Sequence, residues 1–275
     1  MNALRRLAHR ALLLPPALAL CSAAALGAPF EIAVSPSRFE LTARSADRVG
    51  QSLELHNLGA DATEIAVRTL DWRYSDDGQI SYHDELLPGS CRPWVTLERR
   101  TVRVPARGSR KLRFQIDAPA DAARGECRFM IALEGVEPAQ QTVIQSGGAS
   151  LSLPVSGRIA VAVYVMLNGA QPRLTLHEVS MQRSGGKPAP RVRVSNEGDA
   201  HGRLEGALEA TDAQGQAFNL VVEGTPILPG QTRTLALVPR AEDEQAPPPQ
   251  PSYPVKVQGL LDWDQGSFRI NTELR

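Results

Sequence analysis

Four histidines follow residue 27 of this chain: His56, His83, His177 and His201. A nucleophilic enzyme would need one of them as a base beside its nucleophile. None stands in a catalytic spacing, and no Gly-x-Ser-x-Gly elbow is present. His83-Asp84-Glu85 and Asp76-Asp77-Gly78 gather acidic groups. Each reads as a solvated turn, because a calcium loop places more oxygen ligands at regular intervals. Cys91 and Cys127 lack the surrounding cysteines and histidines of a zinc site. No Gly-rich segment opens a helix to cradle phosphate, and Gly147-Gly148 reads as a connection between Glu134 and Leu151. Aromatic residues make up only 5% of the chain, thin for a carbohydrate or single-strand platform, so Trp72, Trp94 and Trp263 read as packing residues. The sequence predicts no enzyme, no cofactor and no metal site.

What remains is the chemistry of association. Arg99, Arg100, Arg103, Arg107, Arg110, Lys111 and Arg113 form the one local charge cluster, either a solvated sheet face or a surface for an acidic partner. Arg5, Arg6 and Arg10, the apolar run Ala11 to Leu20 and the small-x-small Ala25-Leu26-Gly27 read as a cleaved secretory signal over residues 1–27. Cys21 raises a lipoprotein reading, but Leu20 occupies the place where that pattern wants a small residue, which favours ordinary cleavage. Without the leader's three arginines, 27 basic residues face 30 acidic ones, a net charge of −3. That balance gives no case for nucleic acid. No later apolar run reaches the roughly 18 residues of a spanning helix, so no membrane insertion is expected. Export leaves Cys91 and Cys127 as an even pair in an oxidising compartment, most simply a disulfide, with two separate buried thiols as the alternative.

The elements that would position such surfaces are strands. Helical periodicity is scarce, and most segments of five to nine residues alternate between turn signals. The pattern predicts strands at Phe30–Val34, Gln51–Asn57, Thr63–Trp72, Ile80–His83, Trp94–Leu97, Thr101–Val104, Ser109–Ile116 and Glu126–Leu133. Leu151, Leu153, Val155, Ile159, Val161, Val163 and Val165 then keep one parity, which predicts a single long strand with Pro154 inside. A strand of that kind lies at a sheet edge for part of its length, and an apolar edge needs something to pair with it.

Asn168-Gly169 marks a turn, and a second set of strands follows at Leu174–Met181, Arg191–Asn196, Gly202–Thr211, Ala217–Val222, Thr232–Val238, Val255–Leu261 and Ser267–Asn271. The proline-rich Ala246 to Pro254 reads as a stiff loop. Leu53-Glu-Leu-His-Asn-Leu-Gly59 echoes Val192-Arg-Val-Ser-Asn-Glu-Gly198, as if two units of one kind followed each other. The expected fold class is all-β, with two immunoglobulin-like β-sandwich domains over residues 28–167 and 168–275.

The chain resembles the periplasmic pilus chaperones of the chaperone/usher pathway. The residues that carry the resemblance are Val34-Ser-Pro-Ser-Arg-Phe-Glu-Leu41, Leu53-Glu-Leu-His-Asn57, Val104-Pro-Ala-Arg-Gly-Ser-Arg-Lys-Leu-Arg-Phe114, Gly125-Glu-Cys-Arg-Phe-Met-Ile-Ala-Leu133 and the long alternating strand. It implies a boomerang of two sandwiches in the periplasm. Such a protein binds pilus or fimbrial subunits by donor-strand complementation and delivers them to an outer-membrane usher. Leu151, Leu153 and Val155 match the donor positions. Arg38 matches the first of two basic residues that anchor the subunit's terminal carboxylate. The second is usually a lysine; Ala160 holds that position here, and Arg158, two residues earlier on the same face, is the substitute. The alternative is an adaptor that kept the sandwich fold and binds no subunit, and the missing lysine favours it. Self-association of the free protein through its open edge stays open.

Overall fold

The structure is a computed structural model, and it describes residues 30–75, 78–136, 140–146, 149–155, 157–184, 187–241 and 247–275. The expected leader with Cys21, the pair Asp76-Asp77 and Gly147-Gly148 lie outside the described residues.

The first half builds β1 (Ile32–Ser35), β2 (Arg38–Ala43), β3 (Arg48–Asn57), β4 (Thr63–Tyr74), β5 (Ile80–His83), β6 (Val95–Leu97), β7 (Thr101–Val104) and β8 (Ser109–Asp117). It continues with β9 (Gly125–Gly135), β10 (Gln140–Ser146), β11 (Ala149–Val155) and β12 (Arg158–Leu167). One sheet runs β1-β3-β8-β6; the other runs β2-β12-β9-β4-β5, with β7 also on β4. Alternation explains the layering. In β8, Leu112, Phe114 and Ile116 are buried while Lys111 and Arg113 are exposed. Leu53 and Leu55 from one sheet meet Ile65, Phe129, Ile131, Val161, Val163 and Val165 from the other in one apolar core. The sandwich is not wholly antiparallel, because β2 pairs with β12 in parallel, Arg38 beside Ala162 through Ala43 beside Leu167. Cys91 and Cys127 form a disulfide at the rim of this core, both buried, joining the turn before β6 to β9 of the other sheet.

The expected long strand divides. Leu151 to Val155 belongs to β11, which pairs with β10 in a two-stranded ribbon, whereas Arg158 to Leu167 is β12 in the large sheet. Gly157 explains the division: a Cβ there would overlap the Phe30 side chain, which also packs beside Gly135 at the end of β9. The sandwich closes over Phe30 at the point where the ribbon leaves it.

The second half forms β13 (Leu174–Ser184), β14 (Lys187–Asn196), β15 (Ala207–Thr211), β16 (Ala217–Val222), β17 (Thr232–Arg240), β18 (Val255–Trp263) and β19 (Gly266–Leu274). β17 pairs with β14 through residues 232–236 and with β16 through residues 237–240, passing from one layer to the other around a core of Val192, Val194, Leu204, Leu208, Leu220 and Leu235. The sequence echo is structural. Gly59 N donates to Asn57 Oδ1 and Gly198 N to Asn196 Oδ1, both at 2.9 Å. Each asparagine amide in turn donates to carbonyls of the facing loops: Asp61 and Pro105 for Asn57, Ala200 and Ile227 for Asn196. An asparagine is chosen because one side chain supplies both donor and acceptor to a buried turn.

Candidate functional site: an open strand edge and the sheet face beside it

β11 pairs only with β10, in a register that sets Leu151 beside Ile144, Leu153 beside Thr142 and Val155 beside Gln140. Its other edge has no strand among the described residues. The start of β12 is similar, because β2 reaches only to Ala162 and leaves Arg158 to Val161 paired, among the described residues, with β9 alone. A backbone edge with unpaired N–H and C=O groups is a template for another strand.

The start of β12 belongs to the outer face of the large sheet, which is ordered in rungs. Arg38 stands beside Ala162, which stands beside Met130 and then Leu70. Glu40 stands beside Tyr164 and Arg128, and Arg158 beside Glu134. Arg38 and Arg158 therefore share one face, four rungs or about 13 Å apart along the strand direction. Ala160 and Ala162 lie between them as a small-residue floor. Each arginine already has a carboxylate: Arg38 Nε donates to Glu40 Oε1 at 2.8 Å, and Arg158 Nε pairs with Glu134. Glu134 also takes Arg68 Nη2 at 3.0 Å, and this guanidinium first, then Arg158, holds its carboxyl below the usual range.

The second sandwich covers part of the same face. Leu228 packs among Leu70, Trp72, Met130, Ala132 and Tyr164. His201, 6% exposed, stacks on Tyr164 with ring centroids 4.0 Å apart. Its Nδ1 is 2.5 Å from Glu126 Oε2, and its Nε2 is 3.5 Å from Glu40 Oε1. Arg203 reaches Glu40 Oε1 from Nε at 3.2 Å and the Tyr164 hydroxyl from Nη2 at 3.3 Å. The hydrogen bond from His201, joined by the charges of Arg203 and Arg38, lowers the Glu40 carboxyl from 4.5 to about 2. Burial opposes protonation of His201, but the bonds to Glu126 and Glu40 outweigh it and raise the imidazole above its ordinary 6.5. Burial raises the Tyr164 hydroxyl to about 12. At the root of the interface, Asp199 binds Arg124 Nε at 2.5 Å and the Gln171 N–H at 2.7 Å.

No family model matches the sequence, and no curated protein matches it. Solved structures do. The YadV chaperone is 14% identical, with 89% of this chain and 100% of that one covered at a TM-score of 0.46. The Escherichia coli chaperone DraB is 16% identical over 90% of this chain and 98% of its own, at 0.45. The SafB chaperone, in a complex with SafA pilin of Salmonella enterica, is 13% identical over 90% and 98%, at 0.44. All three are chaperones, and the third is in complex with a pilin.

Arg38 and Arg158 are thus on the same face of the large sheet, and Leu151, Leu153 and Val155 are in β11, which pairs with β10 and with no strand of that sheet among the described residues. The seven basic residues from Arg99 to Arg113 are all exposed; Arg110, Lys111 and Arg113 belong to β8 of the other sheet, whereas Arg103, on β7 beside Glu64, belongs to the large sheet, and the His83 ring bonds the surface groups Ser81 and Glu85. Sequence reasoning missed Glu40, Glu126, Tyr164, His201 and Arg203. A signal was present: Phe129-Met130-Ile131-Ala132-Leu133 is continuously apolar, as in a strand covered on both faces, and all five are buried. No helix is long and apolar enough to cross a membrane among the described residues.

Proposed function

We propose that this chain is a non-enzymatic periplasmic chaperone that binds pilus or fimbrial subunits by adding its β11 edge to their unfinished sheet and delivers them to an outer-membrane usher. The observation that carries the reading is the edge of β11 that pairs with no strand among the described residues, in a segment whose sequence alternates Leu151, Leu153 and Val155 with Ser152 and Pro154. Backbone bonds along such an edge give sequence-tolerant affinity, and alternate side chains give selectivity. Each apolar side chain buried in a groove contributes about 1.5–3 kcal/mol. Arg38, on the outer face of the large sheet, offers a guanidinium to a subunit's terminal carboxylate, and Arg158 is the second cation on the same face.

A second reading, an adaptor that binds no subunit, draws on one observation: Arg38 and Arg158 are each already paired with a carboxylate, and Ala160 stands where the family resemblance leads one to look for lysine. Co-expression with small secreted subunits encoded beside this gene separates the two. A stable complex that is lost on Leu153→Asp and weakened on Arg38→Ala supports the chaperone; no complex, or one indifferent to both changes, supports the adaptor.

A further inference from the structure

One oxygen, Glu40 Oε1, serves three cationic side chains: Arg38 Nε at 2.8 Å, Arg203 Nε at 3.2 Å and His201 Nε2 at 3.5 Å. Arg38 lies on the same strand as Glu40; the other two come from the second sandwich. We propose that His201 is a positioning residue for Arg38, acting across the domain interface through Glu40. The inference rests on the reading of Arg38 as the carboxylate anchor.

Glu40 holds Arg38 by Nε, and among the described residues its two Nη groups have no partner. The Arg38 side chain is 48% exposed, so this planar fork is open to a carboxylate that would take it bidentately. Where the fork points depends on Glu40, and Glu40 is fixed from the second sandwich. Both ring nitrogens of His201 face carboxylate oxygens, Glu126 on one side and Glu40 on the other. A neutral imidazole has one N–H; only the imidazolium donates to both.

The charged and titratable groups around His201 decide its state. β9 contributes Glu126, whose second oxygen is 3.4 Å from Arg128 Nη1; β2 contributes Glu40; β12 contributes Tyr164. Its own segment contributes Arg203, and Asp199, which is occupied by Arg124. The two carboxylates outweigh burial and Arg203, so the ring keeps its proton above 6.5. On deprotonation one nitrogen turns from donor to acceptor. Glu126 is retained, because the His201 backbone N–H also donates to it at 2.6 Å. The longer contact to Glu40 is released, and Glu40 then moves with Arg38.

The test uses the whole protein and nuclear magnetic resonance. The His201 ring is titrated while the Arg38 Nε–H signal is followed, and acetate is the carboxylate probe. The inference expects the Arg38 signal to move with the His201 titration, and His201→Gln to shift it and remove its pH response. Acetate affinity at the Arg38 fork should fall about fivefold across that titration, the lower end of coupling between sites. An Arg38 signal indifferent to His201's proton in the unmutated protein overturns the inference, whatever His201→Gln does to folding. Equal acetate affinity on both sides of the titration overturns it too. Acetate binding at neither pH, with the Arg38 signal still following His201, removes the anchor reading of Arg38 and leaves the coupling standing.

Discussion

Removing the Cys91–Cys127 bond should destabilise the first sandwich and leave the second alone. The bond closes a 36-residue separation. On the chain-entropy model a loop of that length restricts the unfolded chain by about 4 kcal/mol. The sandwich that contains it runs from Phe30 to Leu167, and for a unit of that size each kcal/mol moves the midpoint by about 3–4 °C, so the expected drop in Tm is about 12 °C. The assay is thermal unfolding of Cys91→Ala/Cys127→Ala beside the oxidised and the chemically reduced protein. Reduction keeps the sulfur volumes in place, so the loss common to both belongs to the bond and the excess in the double variant belongs to packing. Fluorescence of variants that keep a single tryptophan separates the halves: Trp94 reports the first and Trp263 the second, while Trp72 packs against Leu228 at the interface. Trp94 ends the 3₁₀ turn that Cys91 opens, which makes it a close reporter. A shift under about 1 kcal/mol in the first transition would refute the reasoning, because it would mean the unfolded chain is already as restricted without the bond.

Three more outcomes are expected. Glu40→Gln should cost about 1–2 kcal/mol at neutral pH: the fall of the carboxyl from 4.5 to about 2 allows at most about 3, and a side chain one-third exposed is screened. Because the folded value lies below the unfolded one, this contribution is present above pH 4.5 and is lost as pH falls through about 2; urea unfolding of the two proteins at neutral pH and near pH 2 should show the gap closing. Gly157→Ala should cost about 1–3 kcal/mol by forcing Phe30 aside, and Phe30→Ala in the same chain should restore part of it, read as the coupling energy of a double-mutant cycle. Asn57→Ala and Asn196→Ala each strand buried turn groups and should cost about 2–4 kcal/mol in denaturant unfolding, each in its own sandwich.

Much of the fold is legible in the residue pattern alone. β5, β7 and β16 fall at the predicted residues, since period-two alternation between turn residues leaves a strand little room to move. The pattern predicts neither β2 nor β10. Gln140–Ser146 is mostly polar, so nothing in its own pattern marks a strand; pairing with β11 makes it one. The division between β11 and β12 is hidden for a different reason. Val155 and Ile159 have the same parity, so the apolar pattern runs through unbroken; only Gly157, with Phe30 against it, interrupts the chain. The disulfide is legible from an even pair of cysteines. The Glu40, Glu126 and His201 network is not, because His201 is 75 residues or more from either carboxylate and only the packing of one sandwich on the other joins them.

Phe30 has a practical consequence. It seats beside Gly135 and Gly157, where the β10–β11 ribbon leaves the sandwich. That spot is the start of β12, whose edge we propose a partner strand approaches. An amino-terminal affinity tag would start from this spot, whereas a tag after Arg275 follows β19 of the other sandwich. Binding experiments should therefore carry the tag at the carboxyl end.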